Sequence, residues 1–140
     1  MFGRKKAFDD KRKSEFARAV SEMLATQTAV APRDSLEDAD GHINRRAIGY
    51  IYGFVDCALR SVGEDMANIA IGVPITHHVI RALFPGREQL YMDFLIKNLK
   101  DEMVVLGMMT GGQQYADFII KPGAQGVPMG LAKFILQGDE

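Results

Sequence analysis

The segment Arg45–Ser61, RRAIGYIYGFVDCALRS, places Gly49, Gly53 and Cys57 four residues apart beside an apolar stripe of Ala47, Ile48, Ile51, Tyr52, Val55 and Leu59. Residues at that spacing share one face of an α-helix, and side chains this small let a second backbone come close, as at the G-x-x-x-G pairs of membrane helices. A chain built around such a helix is committed to packing helix on helix. The motif speaks of association, not of chemistry.

The same apolar pattern runs through positions 47, 48, 51, 52, 55, 58, 59 and 62, with Asn44 as an N-cap and Gly63 as a stop. A first helix is expected from Asp9 or Asp10 to about Thr28, where Phe16, Val20, Met23 and Leu24 recur at helical spacing with no Gly or Pro between. Residues 30–44 collect Pro32, four acidic side chains and Gly41, the composition of a solvated acidic loop. A helical piece from Glu64 to Gly72 should stop there, and Pro74 should open a new helix ending at Phe84. The longest pattern, Arg87 to about Met109, carries Leu90, Tyr91, Phe94, Leu95, Leu99, Met103 and Leu106 on one face. Thr110, Gly111 and Gly112 are expected to break it. Residues 113–121 fit a short helix or a strand, 122–130 a turn-rich loop, and Leu131 to Gln137 a short closing helix. The fold class is therefore all-α: a compact bundle of four main helices plus a short C-terminal helix, with a minor β element allowed near residues 115–121.

At 140 residues the chain fits one domain, 1–140, which buries roughly two thirds of the surface its unfolded form exposes. A formal net charge of −1 argues against a whole-domain nucleic-acid binder. Cys57 is the only cysteine, so no internal disulfide can form, and a reducing, cytoplasmic setting is expected. The opening residues are too polar for a secretory signal, and the apolar windows 47–59 and 66–80 fall short of the roughly 20 residues a membrane span needs.

Each candidate chemical group has a structural reading beside the functional one. Asp38-Ala39-Asp40-Gly41-His42-Ile43 resembles the middle of an EF-hand loop, but Leu36 and Ala47 stand where that loop needs its first carboxylate and its bidentate one. It reads as an acidic turn leading into an N-cap. His77 and His78 are neighbours that diverge by about 100 degrees on a helix, and the chain has no Glu-x-x-His pair, so no metal site is assigned. Expected at a helix start, they remain weak ligand-binding candidates with Asp56 and Met103. Asp56 lies one helical turn from Arg60 and should pair with it. Arg4, Lys5, Lys6, Lys11, Arg12 and Lys13 make the tail 1–13 basic, a weak pointer to nucleic acid or an anionic membrane. Phosphate-loop and nucleophile-elbow motifs are absent, and no cofactor is implied.

Two functions are compatible with these observations. The first is a small non-enzymatic cytoplasmic protein that self-associates, as a dimer, through helix faces carrying Gly49, Gly53, Cys57, Tyr91 and Phe94, or that meets another protein there. The wide apolar coverage of Leu90–Met92 and Phe94–Ile96, more than one small core hides, favours it. The second is a small-molecule-binding or enzymatic helical bundle with an interhelical pocket that uses His77, His78 or Asp56.

Overall fold

The computed structural model describes residues 8–31, 35–120 and 131. The described residues form five helices, α1 (Asp10–Val30), α2 (Arg45–Ser61), α3 (Ile69–Leu83), α4 (Glu88–Lys97) and α5 (Glu102–Ile120). They contain no sheet, only an isolated antiparallel bridge between Glu37 and Ile43. The all-α expectation holds.

α2 is the axis of the molecule. Its residues Ala47, Tyr50, Ile51, Phe54, Val55, Ala58 and Leu59 meet Ala17, Val20 and Leu24 of α1 and Ile75 and Val79 of α3 in one core. Ile48 joins a second core with Ile80, Tyr91, Met92, Leu95 and Val104. The expected Asn44 cap is present, its Oδ1 accepting the N–H of Ala47 at 3.0 Å.

The small-residue face of α2 is covered by α5, and the relation is reciprocal. A Cβ on Gly49 would stand 2.1 Å from the carbonyl oxygen of Val104, and one on Gly53 2.0 Å from that of Met108. From the other side, a Cβ on Gly107 would stand 2.3 Å from the oxygen of Arg46, and one on Gly111 2.0 Å from that of Tyr50. The two backbones lie against each other with no side chains between them. This explains why α5 runs unbroken through Thr110-Gly111-Gly112, where a break was expected, and why residues 115–120 are helical and not strand. Glycine weakens a helix by about 1 kcal/mol relative to alanine, and packing this close outweighs that cost.

Three further boundaries differ from expectation. The pattern from Arg87 to Met109 is two helices. Asn98 closes α4 through its Nδ2 on the carbonyl of Phe94 at 2.7 Å, and Asp101 opens α5 by accepting the N–H groups of Met103 at 2.9 Å and Val104 at 3.3 Å. α3 starts before Pro74 and passes through Gly72, while residues 64–68 are turns instead of a helical piece. Gly72 is small because the chain folds back on it: a Cβ there would meet the Met66 oxygen at 2.6 Å. His77 and His78 therefore sit in the second half of a helix, not at its start. The closing helix Leu131–Gln137 lies outside the described residues except for Leu131, which is buried and donates its N–H to Gln27 Oε1 at 2.9 Å.

Candidate interaction site

The residues expected to form an interface are already used inside the chain. Gly49 and Gly53 are sealed by α5, and half-buried Cys57 lies beside Gly112 at the end of the same contact. Burial pushes the Cys57 thiol up from its usual range, with the Asp56 carboxylate adding to the effect, so it is not a poised thiolate. Tyr91 is buried and stacks on Phe84 with ring centroids 4.1 Å apart, and Phe94 is half-buried.

Tyr91 has a task that the sequence did not disclose. Its hydroxyl donates to Glu37 Oε1 at 2.8 Å, and the same carboxylate receives Nε of Arg87 at 3.1 Å and Nη2 of Arg87. Glu37 thus ties the acidic loop to α4. Burial first, then the Glu37 hydrogen bond and charge, raises the Tyr91 phenol well above its ordinary value. In that loop Asp38 Oδ1 accepts the N–H groups of Asp40 and His42, each at 2.9 Å, while Oδ2 lies 3.2 Å from His42 Nδ1. The backbone N–H of His42 is the main reason the Asp38 carboxyl sits below its usual range. The EF-hand-like segment is a hydrogen-bonded turn, as read from its residues.

The weak ligand candidates do not converge. Asp56 pairs with Arg60 at 2.9 Å, as its spacing requires, and the Met103 sulfur accepts from Arg46 Nε at 3.3 Å. His77 and His78 line an open depression on α3 that neither Asp56 nor Met103 reaches. Of the basic tail, Arg4, Lys5 and Lys6 lie outside the described residues, while Lys11, Arg12 and Lys13 occupy the start of α1, with Arg12 over the Phe8 ring.

What the fold leaves uncovered is an apolar groove between α3 and α4. Tyr52, Gly72, Thr76, Met92 and Leu95 form its floor, and Met66, Ile69, Val73, Ile96 and Leu99 its sides, around a cavity of about 180 Å³. Two of the side chains project: Ile69 is 72% exposed and Ile96 60%. Thr76 Oγ1 reaches only the Met66 sulfur, at 3.5 Å, so the floor offers a ligand little polar grip. Asp65 is exposed on the α3 side, and Lys97 and Lys100 are exposed at the α4 end. Met92, Leu95 and Ile96, part of the apolar stretch whose surplus surface is expected from the sequence, line this groove, but the groove itself has no signal in the sequence. No helix of the described residues is long and apolar enough to cross a membrane.

Comparison of the chain with protein-family models, curated proteins and solved structures finds no match.

Proposed function

We propose that this chain is a small non-enzymatic protein whose working surface is a self-association interface, the α3–α4 groove of one copy receiving the projecting side chains of a second. The observation that carries the reading is the groove itself, a hole flanked by its own knobs. A cavity of about 180 Å³ is smaller than the roughly 300–1,000 Å³ of small-molecule sites, and suits a large side chain or two of the kind that anchor protein interfaces. A twofold axis along the groove sets the α3 side of one copy on the α4 side of the other. Ile69 and Ile96 then enter the facing grooves, and Asp65 approaches the Lys97 and Lys100 end of its twin. Such an isologous contact uses one patch twice and closes as a dimer. The scattering of His77, His78, Asp56 and Met103 weighs against the enzymatic alternative. The single half-buried thiol fits a reducing cytoplasm.

The test is sedimentation velocity over a concentration series with the unaltered chain and with Ile69→Asp and Ile96→Asp. Burying an isoleucine contributes about 1.5–3 kcal/mol and burying an unpaired carboxylate costs more, so each variant should weaken the dimer by well over tenfold. Their helical circular dichroism should be unchanged, because both positions are exposed in the monomer. An unaltered chain that stays monomeric at every concentration, or a dimer that survives both substitutions, rejects the reading.

A further inference from the structure

The outer face of α3 from Val73 onward and the turn after it frame a different concavity, an open depression of about 730 Å³ that shares only Val73 with the groove. Its lining divides by chemistry. His77, His78 and Arg81 supply hydrogen-bond donors, and Val73, Pro74, Ala82 and Pro85 supply an apolar wall. On a helix of 3.6 residues per turn, Arg81 projects at an angle between those of His77 and His78, one turn further along, so the three side chains fan over one patch. Among the described residues none of the three side chains makes a hydrogen bond or an ion pair. All three side chains are open to solvent, His78 and Arg81 exposed and His77 half-buried, so their N–H groups are accessible to a ligand.

One carboxylate lies near the depression. Glu88, in the first turn of α4, is held below the usual carboxylate range chiefly by its own backbone N–H and that of Gly86, with the charges of Arg81 and His77 contributing. Arg81 and His77 thus lie within electrostatic reach of one carboxylate, which a bound anion would have to share them with. A metal cation is the weaker occupant. The described residues bring three potential metal-ligating side chains together at Asp38, Asp40 and His42, and not here.

We infer that this depression binds an organic oxyanion of the phosphate monoester class, its oxyanion on Arg81, His77 and His78 and its apolar body against Pro74, Val73, Ala82 and Pro85. The planar guanidinium offers paired N–H donors that match phosphate oxygens, and each imidazole offers an N–H in either protonation state. Proline rings and short side chains form a flat wall suited to an aromatic or aliphatic ester group. The Glu88 carboxylate, within electrostatic reach of Arg81 and His77, opposes binding. The inference is independent of self-association, since only Val73 belongs to both surfaces.

The experiment is NMR of histidine-labelled full-length protein titrated with phenyl phosphate, inorganic phosphate and benzyl alcohol, with His42 as the internal control. Phenyl phosphate should shift His77 and His78 saturably, leave His42 unmoved, and bind more tightly than either of the other two probes. Arg81→Ala should weaken it by about tenfold or more and Arg81→Lys by less, because lysine keeps the charge and loses the fork. Glu88→Gln should strengthen it by about two- to threefold, the effect of removing one charge several ångströms away through water. Shifts that do not saturate, that appear equally at His42, or that saturate with undiminished affinity in Arg81→Ala overturn the proposal. So does benzyl alcohol binding as tightly as phenyl phosphate, which would leave only an apolar surface.

Discussion

Gly111 and Gly112 are neighbours in one helix, and the structure assigns opposite signs to the same substitution at each. A Cβ on Gly111 would stand 2.0 Å from the carbonyl oxygen of Tyr50, whereas the nearest atom to a Cβ on Gly112 is the Gly53 oxygen at 3.6 Å, an ordinary contact. Because Cβ atoms essentially never come closer than 3.0 Å to such an atom, Gly111→Ala must drive α5 from α2 by at least about 1 Å. Neither side can yield by rotating a side chain, since both are backbone. A gap approaching 1 Å forfeits roughly a quarter to a half of each dispersion contact across it. Overpacking of this kind costs about 3 kcal/mol at the upper end of its usual range. The better helix propensity of alanine returns about 1 kcal/mol, leaving a loss of about 2 kcal/mol or more. Gly112→Ala keeps only the gain. Urea unfolding followed by circular dichroism reads both: with a slope of about 1–3 kcal/mol per molar, the midpoint should fall by about 1 M in the first variant and rise by a few tenths in the second. Equal midpoints for the two, or a Gly111→Ala protein as stable as the parent, would refute the packing of α2 against α5 within one chain.

Replacing Gln27 by Leu keeps the size of a fully buried side chain but removes the acceptor shared by the Tyr50 hydroxyl, at 2.8 Å, and the Leu131 N–H. Both hydrogen bonds are lost, and calorimetry should show a loss of about 1–2 kcal/mol. Asp101→Ala removes the cap of α5 and the Arg45 contact at 2.8 Å, and should cost about 1 kcal/mol in the same urea assay, with Asp101→Asn restoring most of it. A variant as stable as the parent would show that α5 does not depend on that cap. Burial raises the phenols of Tyr50 and Tyr91, so the unfolded chain ionises first as the solution becomes alkaline. Stability should therefore be undiminished by these groups below about pH 10 and fall above it, and a urea midpoint that stays flat well beyond that pH would contradict their burial. On the acid side the lowered carboxyls of Asp38, Glu88 and Asp101 contribute stability that is present above about pH 4 and is lost as the pH falls through their folded values.

Features that depend on neighbours within a turn or two were legible in the residues. The apolar stripes of α1 and α2, the Asn44 cap, the Asp56–Arg60 pair and the hydrogen-bonded turn at Asp38–His42 all follow from local spacing. Where local signals competed, the sequence misled. The apolar pattern stays in phase across Asn98 and Asp101, so two capped helices resembled one, and Gly111-Gly112 resembled a stop because glycine is a poor helix former. Gly111 is helical for a reason that lies more than fifty positions away, in the backbone of Tyr50. A similar distance hides the meeting of Glu37 with Arg87 and Tyr91. Periodicity determined that this chain would be helical and that one face of its second helix would meet another backbone. Only the tertiary arrangement decided that this backbone is its own α5, because a glycine face is equally open to any helix that can reach it. Once α5 took that face, the apolar surface left over lay on α3 and α4, where no pattern within a single helix could have placed a groove.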